Sequence, residues 1–364
     1  MNLRLSYISN SEFGDIKKSL KKLFVFALLV FLLDKALAHW ATQAVLHDVG
    51  EFGTLSVLYR GKVDSQIVLF GTSKTHVNID AGAIEQQTGM SCYNLAISNA
   101  TIETQELLFE DFLTRNKKPE IVFMEADFSQ FRDSVTRQTA GGPIFRSDLL
   151  APFSAISPNV AKCLNPSIMD QLAFGFFRCK NFSSGNEIVA LLRSIFRYTL
   201  SFWGNGDSSN RTPQSGAAAG YQDNHQWRES RGAHLIAPLL EQPTKKRIEG
   251  WMSDDGKPGD SFTTALEHQN TYKRIVEMAK SEGIRLILYG PPLLGKLDEN
   301  HAQEVDQFFS QLAERNEHVY YWSFRENHTL RSDATLWNDS IHMNWDGAEI
   351  LTRKIIERLK NFQE

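Results

Sequence analysis

Three polar side chains, one near residue 73 and two near the C-terminus, have the types needed to activate an alcohol. Ser73 follows the apolar run QIVLF, which ends at Gly71 and is typical of a buried parallel strand running into a tight turn. Asp339 and His342 stand three residues apart near the C-terminus, and Asp339 comes 266 positions after Ser73. A carboxylate can orient an imidazole, and the imidazole can take the proton of a serine hydroxyl, which is a weak nucleophile unaided. The three residues together predict a base-activated serine.

Each part of this pattern has a plainer interpretation. A serine after a strand commonly caps the next helix. Asp339 is equally suited to capping the last helix, and His342 to an exposed surface position. The location of Ser73 favours a site, because open α/β sheets bind ligands beyond the carboxyl ends of their strands.

The combination resembles the SGNH (GDSL-like) hydrolase superfamily. The chain has a strand ending in GTS at 71–73 and the motif DxxHxNxxG at 339–347, just before the last helix. It is most similar to the membrane-anchored branch that contains alginate O-acetyltransferase-type proteins and the D-alanyl-lipoteichoic acid transfer protein. This resemblance implies that Ser73 is the nucleophile and that Asp339 and His342 complete a catalytic triad.

The resemblance also implies an oxyanion hole formed by the backbone amides of Ser73 and Asn99. Asn99 stands where the superfamily has a glycine, but asparagine tolerates left-handed backbone better than other non-glycine residues. The third block of the superfamily usually brings an asparagine after the third strand, and it is not visible in Met124–Phe128. Because losing one oxyanion donor costs about 10²–10³ in rate, this favours a slow transferase over a general esterase.

Two further charged residues are candidate substrate contacts. Lys74 is suited to an anionic substrate, and Asp127, after the third predicted strand, to a substrate or to a helix N-terminus. His76 is expected at the surface or at most against substrate. Ten scattered histidines, no cysteine pair with zinc spacing and no glycine-rich phosphate loop after a strand predict neither a metal site nor a cofactor.

The composition of the 364-residue chain is that of an ordinary globular protein, with 42% hydrophobic and 23% charged residues. A net charge of −4 gives no basic surface for nucleic acid. Cys92 is expected to be a small buried side chain, whereas pairing of Cys163 with Cys179 stays open.

The N-terminal region predicts a membrane segment. Four lysines in residues 1–22 precede the apolar run Leu23–Leu33, which predicts a cytoplasmic N-terminus. The run spans a bilayer only together with Asp34, Lys35 and residues 36–46, so we predict an uncleaved anchor over residues 23–46. A signal peptide cleaved after the A-x-A sequence at 36–38 is the competing interpretation.

The remaining pattern predicts an α/β fold with a flavodoxin-like, three-layer parallel sheet of SGNH type. Residues 47–127 and 265–364 form its two parts, and residues 128–264, which show no sustained strand pattern, form an insertion that caps the crevice. The dense aromatic residues of this insertion predict either its own core or a surface that stacks on glycan or faces the membrane. The strands are predicted at Gln66–Phe70, Ser91–Leu95, Glu120–Ala126, Ile284–Tyr289 and His318–Phe324, and the main helices at Ala81–Gly89, Ile102–Asn116, Ala265–Ser281, Gln303–Arg315 and Trp345–Lys360.

The resemblance implies a single-pass protein of the bacterial cytoplasmic membrane, with its catalytic domain on the periplasmic side. The expected activity is O-acyl transfer, with acetyl as the group, to a cell-surface or secreted polysaccharide. The implied partner is a membrane-bound O-acyltransferase that exports the acyl group. Two alternatives stay open: a carboxylesterase or deacetylase with the same triad, and a non-catalytic assembly protein with an inherited fold.

Overall fold

The fold was analysed in a computed structural model, which describes residues 10–47, 53–127, 156–163, 227–230, 233–236, 266–294 and 299–363, with the single residues 131, 150, 153 and 195. The strands are β1 Ile67–Phe70, β2 Cys92–Asn94, β3 Ile121–Glu125, β4 Trp227–Ser230, β5 Ala233–Ile236, β6 Arg285–Gly290 and β7 Val319–Ser323. The helices are α1 Asn10–Leu46, α2 Gly53–Tyr59, α3 Ser73–Asn78, α4 Ala81–Thr88, α5 Ile102–Arg115, α6 Pro158–Cys163, α7 Leu266–Ser281, α8 Glu299–Glu314, α9 His328–Ser332 and α10 Trp345–Gln363. A 3₁₀ turn covers Ala334–Leu336.

Five strands form one parallel sheet in the order β2-β1-β3-β6-β7. The predicted α/β class with a parallel sheet is therefore confirmed. Numbered within this sheet alone, the order is 2-1-3-4-5, which is the order of doubly wound sheets of the flavodoxin type. In such sheets the direction of winding reverses between the first and third strands, and ligands bind beyond their carboxyl ends.

Helices cover both faces of the sheet because its strands are apolar on both sides. Alternate strand residues such as Val68 and Val122 pack in one core with α5, α7 and α8. Their neighbours Ile67 and Ile121 pack in a second core with α4 and α10. The cores leave the carboxyl ends of β1 and β3 as the place where polar side chains converge.

The N-terminal helix is longer than predicted. Helix α1 begins at Asn10 and runs without a break through Leu23 and through the A-x-A sequence at 36–38. The segment Lys17–Leu46 contains an 18-residue stretch with mean hydropathy 1.9 and is long and apolar enough to cross a membrane. Side chains from Leu20 to Trp40 are largely exposed, over ~32 Å at ~1.5 Å per residue, whereas Ala44, Val45 and Leu46 are buried. The end of the predicted anchor is thus part of the domain core.

Residues 128–264, in which no sustained strand pattern is predicted, contain one short pair of strands that the sequence analysis did not predict. Strands β4 and β5 form an antiparallel pair with Trp227 opposite Ile236. Strand β5 packs against α3, and Leu235 is buried against Ala348 of α10. This part of the insertion therefore lies beside the helix that begins at Ser73. The aromatic-rich stretch 174–177 and Cys179 lie outside the described residues, as does most of the remaining predicted cap.

A buried ion pair joins α5 to α7 on the side of the sheet away from α10. Glu103 Oε1 lies 2.6 Å from Nδ1 of His268, whose side chain is 2% exposed. Burial raises the pKa of Glu103, but the hydrogen bond and the charge of His268 outweigh it and hold the pKa below its ordinary value. The carboxylate therefore stabilises the fold above the pKa of the unfolded chain, about 4.3, and this stabilisation is lost as pH falls through the folded pKa.

We expect Glu103→Gln to lower the free energy of unfolding by about 1–3 kcal/mol at neutral pH, because the charged carboxylate that pairs with His268 is replaced by a neutral amide. The difference from wild type should be smaller at about pH 3 than at about pH 7, because protonation of the wild-type carboxyl sets in as pH falls below the unfolded pKa of about 4.3. Thermal unfolding of the full chain in detergent at both pH values measures this. Glu106→Gln is the matched control, since its partner Arg274 is 55% exposed and such pairs contribute only about 0.2–1 kcal/mol. An equal loss for Glu103→Gln at both pH values would contradict the assignment.

Candidate active site

The turn after β1 places Ser73 at the first position of α3. Thr72, not Ser73, caps this helix, since its hydroxyl accepts the N–H of Lys74 at 3.2 Å. The capping interpretation of Ser73 is therefore wrong. The Ser73 hydroxyl instead forms a hydrogen bond with Nε2 of His342, at 2.8 Å.

The loop before α10 holds the other two predicted residues together. Oδ2 of Asp339 lies 2.7 Å from Nδ1 of His342. The other oxygen, Oδ1, accepts the backbone N–H groups of Ile341 at 2.9 Å and of His342 at 2.7 Å. One carboxylate thus fixes both the loop backbone and the imidazole that the loop carries.

The electrostatics of this pair suit a general base. Burial raises the pKa of Asp339, but the hydrogen bonds from His342 and from the backbone N–H groups outweigh it, so its pKa lies below the ordinary value. Asp339 is therefore ionised at neutral pH and favours a proton on Nδ1 of His342, which leaves Nε2 to accept the Ser73 proton. The His342 side chain is 23% exposed, so part of it is open to solvent.

Asn78, the last residue of α3, connects this serine helix to the loop that carries Asp339 and His342, here called the triad loop. Its Oδ1 accepts the N–H of Met343 at 2.8 Å, and its Nδ2 donates to the carbonyl of Ile341 at 3.2 Å. The loop itself is closed by an antiparallel bridge between Trp337 and Met343. These contacts are needed because β7 lies three strands away from β1 in the sheet, so the chain must return across the carboxyl edge before His342 reaches Ser73.

The last two positions of the DxxHxNxxG motif have structural roles. The side-chain oxygen of Asn344 accepts the N–H groups of Asp346 and Gly347, each at 3.1 Å, and so caps α10. The alternative in which Asp339 caps this helix is therefore wrong. A Cβ on Gly347 would collide with the carbonyl of Leu336, which explains the glycine.

The backbone of Asn99 has a conformation that glycine adopts more readily than other residues. Its φ is +59°, in the left-handed region, and the residue is exposed. Its loop is tied to the serine turn, because Ile97 donates its N–H to the carbonyl of Gly71 at 3.0 Å. The N–H of Ser73 stands in the first turn of a helix, where backbone donors lack acceptors within the helix. The two amides that the resemblance implies thus belong to two loops that a backbone hydrogen bond holds together.

Lys74 and Asp127 lie beneath the site and are paired with each other. The ammonium of Lys74 forms an ion pair with Oδ2 of Asp127, and the two residues are 5% and 1% exposed. Substrate contact by either residue stays a prediction, and it would require opening a buried ion pair.

Sequence reasoning missed Glu125 and Asn78. Glu125, the last residue of β3, accepts hydrogen bonds from the backbone and hydroxyl groups of Thr72 and Thr75. The available signal was a carboxylate inside the apolar run EIVFMEA, where a charge is costly unless it has partners. Within the described ranges, no group of three or more histidine, cysteine, aspartate or glutamate side chains is arranged to hold a metal ion.

Comparison with known proteins yields no family for the chain. No protein-family model matches it, and no curated protein matches it either.

The role of Asn99 can be tested through its backbone angle. Asn99→Gly keeps the N–H and removes the left-handed penalty, so the rate of Ser73 acylation should stay within about twofold of wild type. Asn99→Val adds a strain of about 1–2 kcal/mol in this region, and the displaced N–H should slow acylation about tenfold. His318→Val is the matched control, because His318 also has a left-handed φ, of +68°, but precedes β7. Acylation of the Asn99→Val protein at the wild-type rate would exclude this amide from the reaction.

Proposed function

We propose that the chain is a membrane-anchored, serine-dependent O-acyltransferase of SGNH-like fold, whose active domain lies outside the cytoplasm. The observation that carries this proposal is the continuous hydrogen-bond chain from Ser73 through His342 to Asp339, with contacts of 2.8 and 2.7 Å. A decayed triad, as in a non-catalytic assembly protein, gives no reason to keep these contacts aligned.

The first half of the reaction follows from this chain. As the Ser73 oxygen attacks the carbonyl carbon of an acyl ester, Nε2 of His342 takes the hydroxyl proton. The ionised Asp339 stabilises the resulting imidazolium. The tetrahedral oxyanion is bound by the N–H groups of Ser73 and Asn99. His342 then gives its proton to the leaving alcohol, and an acyl ester of Ser73 remains.

The second half reverses these roles on a new alcohol. A hydroxyl of the acceptor gives its proton to His342 and attacks the Ser73 ester, and the proton returns to the Ser73 oxygen as the bond to the acyl group breaks. With water in place of the acceptor, the same steps give hydrolysis. Partial exposure of His342, at 23%, favours an esterase or deacetylase as the second candidate, because water can reach the ring.

The membrane placement is supported by α1. Its exposed apolar segment is long enough for the ~30 Å hydrocarbon core, and the lysines at its N-terminal end support a cytoplasmic N-terminus. The acetyl group, the cell-surface or secreted polysaccharide and the acyl-exporting partner rest on the resemblance to the membrane-anchored SGNH branch.

Acylation of Ser73 is the direct test. Full-length protein in detergent, incubated with p-nitrophenyl acetate, should gain one acetyl group by intact-mass spectrometry, and peptide mapping should place it on Ser73. Ser73→Ala should abolish the adduct, and His342→Ala should slow its formation by about 10²–10⁴. Ser340→Ala, in the same loop as His342, is the control and should behave as wild type. An adduct elsewhere, or unchanged acylation by the Ser73→Ala protein, would refute the triad.

Acceptor oligosaccharide separates the two candidate reactions. Acetyl-Ser73 that decays faster with oligosaccharide than in water, with acetylated sugar as the product, identifies a transferase. Decay at the same rate with free acetate alone identifies a hydrolase.

The anchor offers a test of the proposed partner. Near the outer end of the exposed segment, Nζ of Lys35 lies 3.6 Å from Oδ2 of Asp34, and the Asp34 side chain is only 7% exposed. Charged residues within membrane spans commonly face protein rather than lipid. Replacing both with leucine should preserve folding and weaken co-purification with a co-expressed membrane-bound O-acyltransferase. Replacing Leu28 and Leu29 with alanine is the control, and unchanged recovery of the partner would remove the charged pair from the interface.

A further inference from the structure

A buried carboxylate organises the turn that carries Ser73. Glu125 is 1% exposed, and its carboxylate is hydrogen-bonded to Thr72 and Thr75. It accepts the N–H of Thr72 at 2.8 Å and its hydroxyl at 2.7 Å, and the N–H of Thr75 at 3.2 Å and its hydroxyl at 2.6 Å. Glu125 therefore binds Thr72, the residue before Ser73, and Thr75, two residues after it.

Gly71 shows how closely this carboxylate is fitted to the turn. A Cβ at position 71 would overlap the hydroxyl of Thr75 and would lie 2.6 Å from Oε2 of Glu125. The carbonyl of Gly71 also accepts the N–H of Ile97, at 3.0 Å, and so holds the loop that leads to Asn99. The glycine that ends β1 thus leaves room for the carboxylate and ties both candidate oxyanion amides to one turn.

The charges around Glu125 are arranged along the ends of neighbouring strands. Asp127, two residues further along the chain, pairs with Lys74, the residue directly after Ser73. The carboxylates at and just after the end of β3 thus hold the side chains of Thr72, Lys74 and Thr75. Ser73, between them, instead forms a hydrogen bond with His342. Burial raises the pKa of Glu125 and the charge of Asp127 raises it further, while Lys74 and the threonine hydrogen bonds act in the opposite direction.

Stability alone does not account for such a group. Taking a carboxylate out of water is costly, and Thr72 already caps α3 through its own hydroxyl. An apolar residue at the end of β3 would complete the strand without that cost. What Glu125 adds is a fixed backbone on both sides of Ser73.

We propose that Glu125 is a positioning residue for the nucleophile: its carboxylate sets the backbone at 72–75 so that the Ser73 hydroxyl stays within hydrogen-bond reach of His342 and its N–H faces the oxyanion site. This inference rests on the proposed function and adds a residue to it. Glu125 acts through Ser73 and has no contact with the reacting atoms.

Two substitutions of Glu125 are compared: one preserves the shape of the serine turn, and the other removes the hydrogen-bonding group. In Glu125→Gln the amide oxygen can accept the two N–H groups and the amide nitrogen can donate to the Thr72 hydroxyl, so the turn keeps its shape. In Glu125→Ala all four acceptor contacts are lost. We expect the glutamine variant to acylate Ser73 with a kcat within about fivefold of wild type, and the alanine variant to lose about 10² in kcat, the cost of a small misplacement of reacting groups. The KM for p-nitrophenyl acetate should change less than about twofold in both, since substrate binding is not what the turn controls.

Asp111→Ala is the matched control for destabilisation. Asp111 is also a buried carboxylate, with hydrogen bonds from Tyr59 at 2.8 Å, Ser157 at 2.5 Å and Asn159 at 3.0 Å, but it lies on α5 away from the serine turn. It should lower the melting temperature without lowering kcat. Where the Glu125→Ala protein does not fold, Thr75→Val, which removes one donor at nearly constant volume, should lower kcat several-fold.

The outcomes distinguish the two proposals. Wild-type acylation with equal kcat for Glu125→Ala, or for Thr75→Val in its place, overturns the positioning role alone. Equal losses of kcat in the glutamine and alanine variants also overturn it, since the shape is then not what matters. A wild-type protein that forms no acyl-Ser73 overturns the proposed function and this inference with it.

Discussion

The hydrogen bond between Ser73 and His342 is the contact on which the candidate site depends, and it joins residues 269 positions apart. It exists because β1 and the segment after β7 both end at the carboxyl edge of one parallel sheet. The polar groups around it each fix one side of the bond. Glu125 holds the serine turn, Asp339 holds the imidazole, and Asn78 ties the two together because it ends the serine helix and accepts the triad loop.

Two carboxylates at the carboxyl edge of the sheet, Asp339 and Glu125, have different surroundings. Asp339 is 44% exposed on its side chain, and hydrogen bonds from His342 and the backbone lower its pKa despite burial. Glu125 is fully enclosed, and burial together with Asp127 raises its pKa. A partly solvated carboxylate can support a charge that develops on His342, whereas an enclosed one with four hydrogen bonds is suited to holding backbone in place.

Short-range patterns account for what the sequence analysis predicted. The five parallel strands and the main helices follow from apolar runs and glycine stops, whereas the choice of Ser73, Asp339 and His342 as a candidate triad came from the resemblance of two short motifs to a known superfamily. The return of the chain from β7 to β1 could not be read in this way, because it depends on single contacts such as those of Asn78, whose neighbours in space are distant in sequence. The local pattern predicts Glu125 only as part of a strand, since nothing local shows which donors a buried carboxylate meets. The β4–β5 hairpin was missed because WRES and AHLI have few β-branched residues, although Gly232 between them is a turn signal.

Helix α1 is joined to the rest of the domain by packing as well as by the peptide chain. Val45 and Leu46 at its end lie in the same core as Leu58 of α2. Tyr59 of α2 donates to Asp111 of α5 at 2.8 Å, and α5 begins three residues after Asn99. This packing gives the domain a defined orientation relative to α1. For the proposed transfer from a membrane-embedded donor, such a connection keeps Ser73 at a fixed position relative to the bilayer. The entropy of orienting the domain towards the donor is then lost on folding and not again at each encounter.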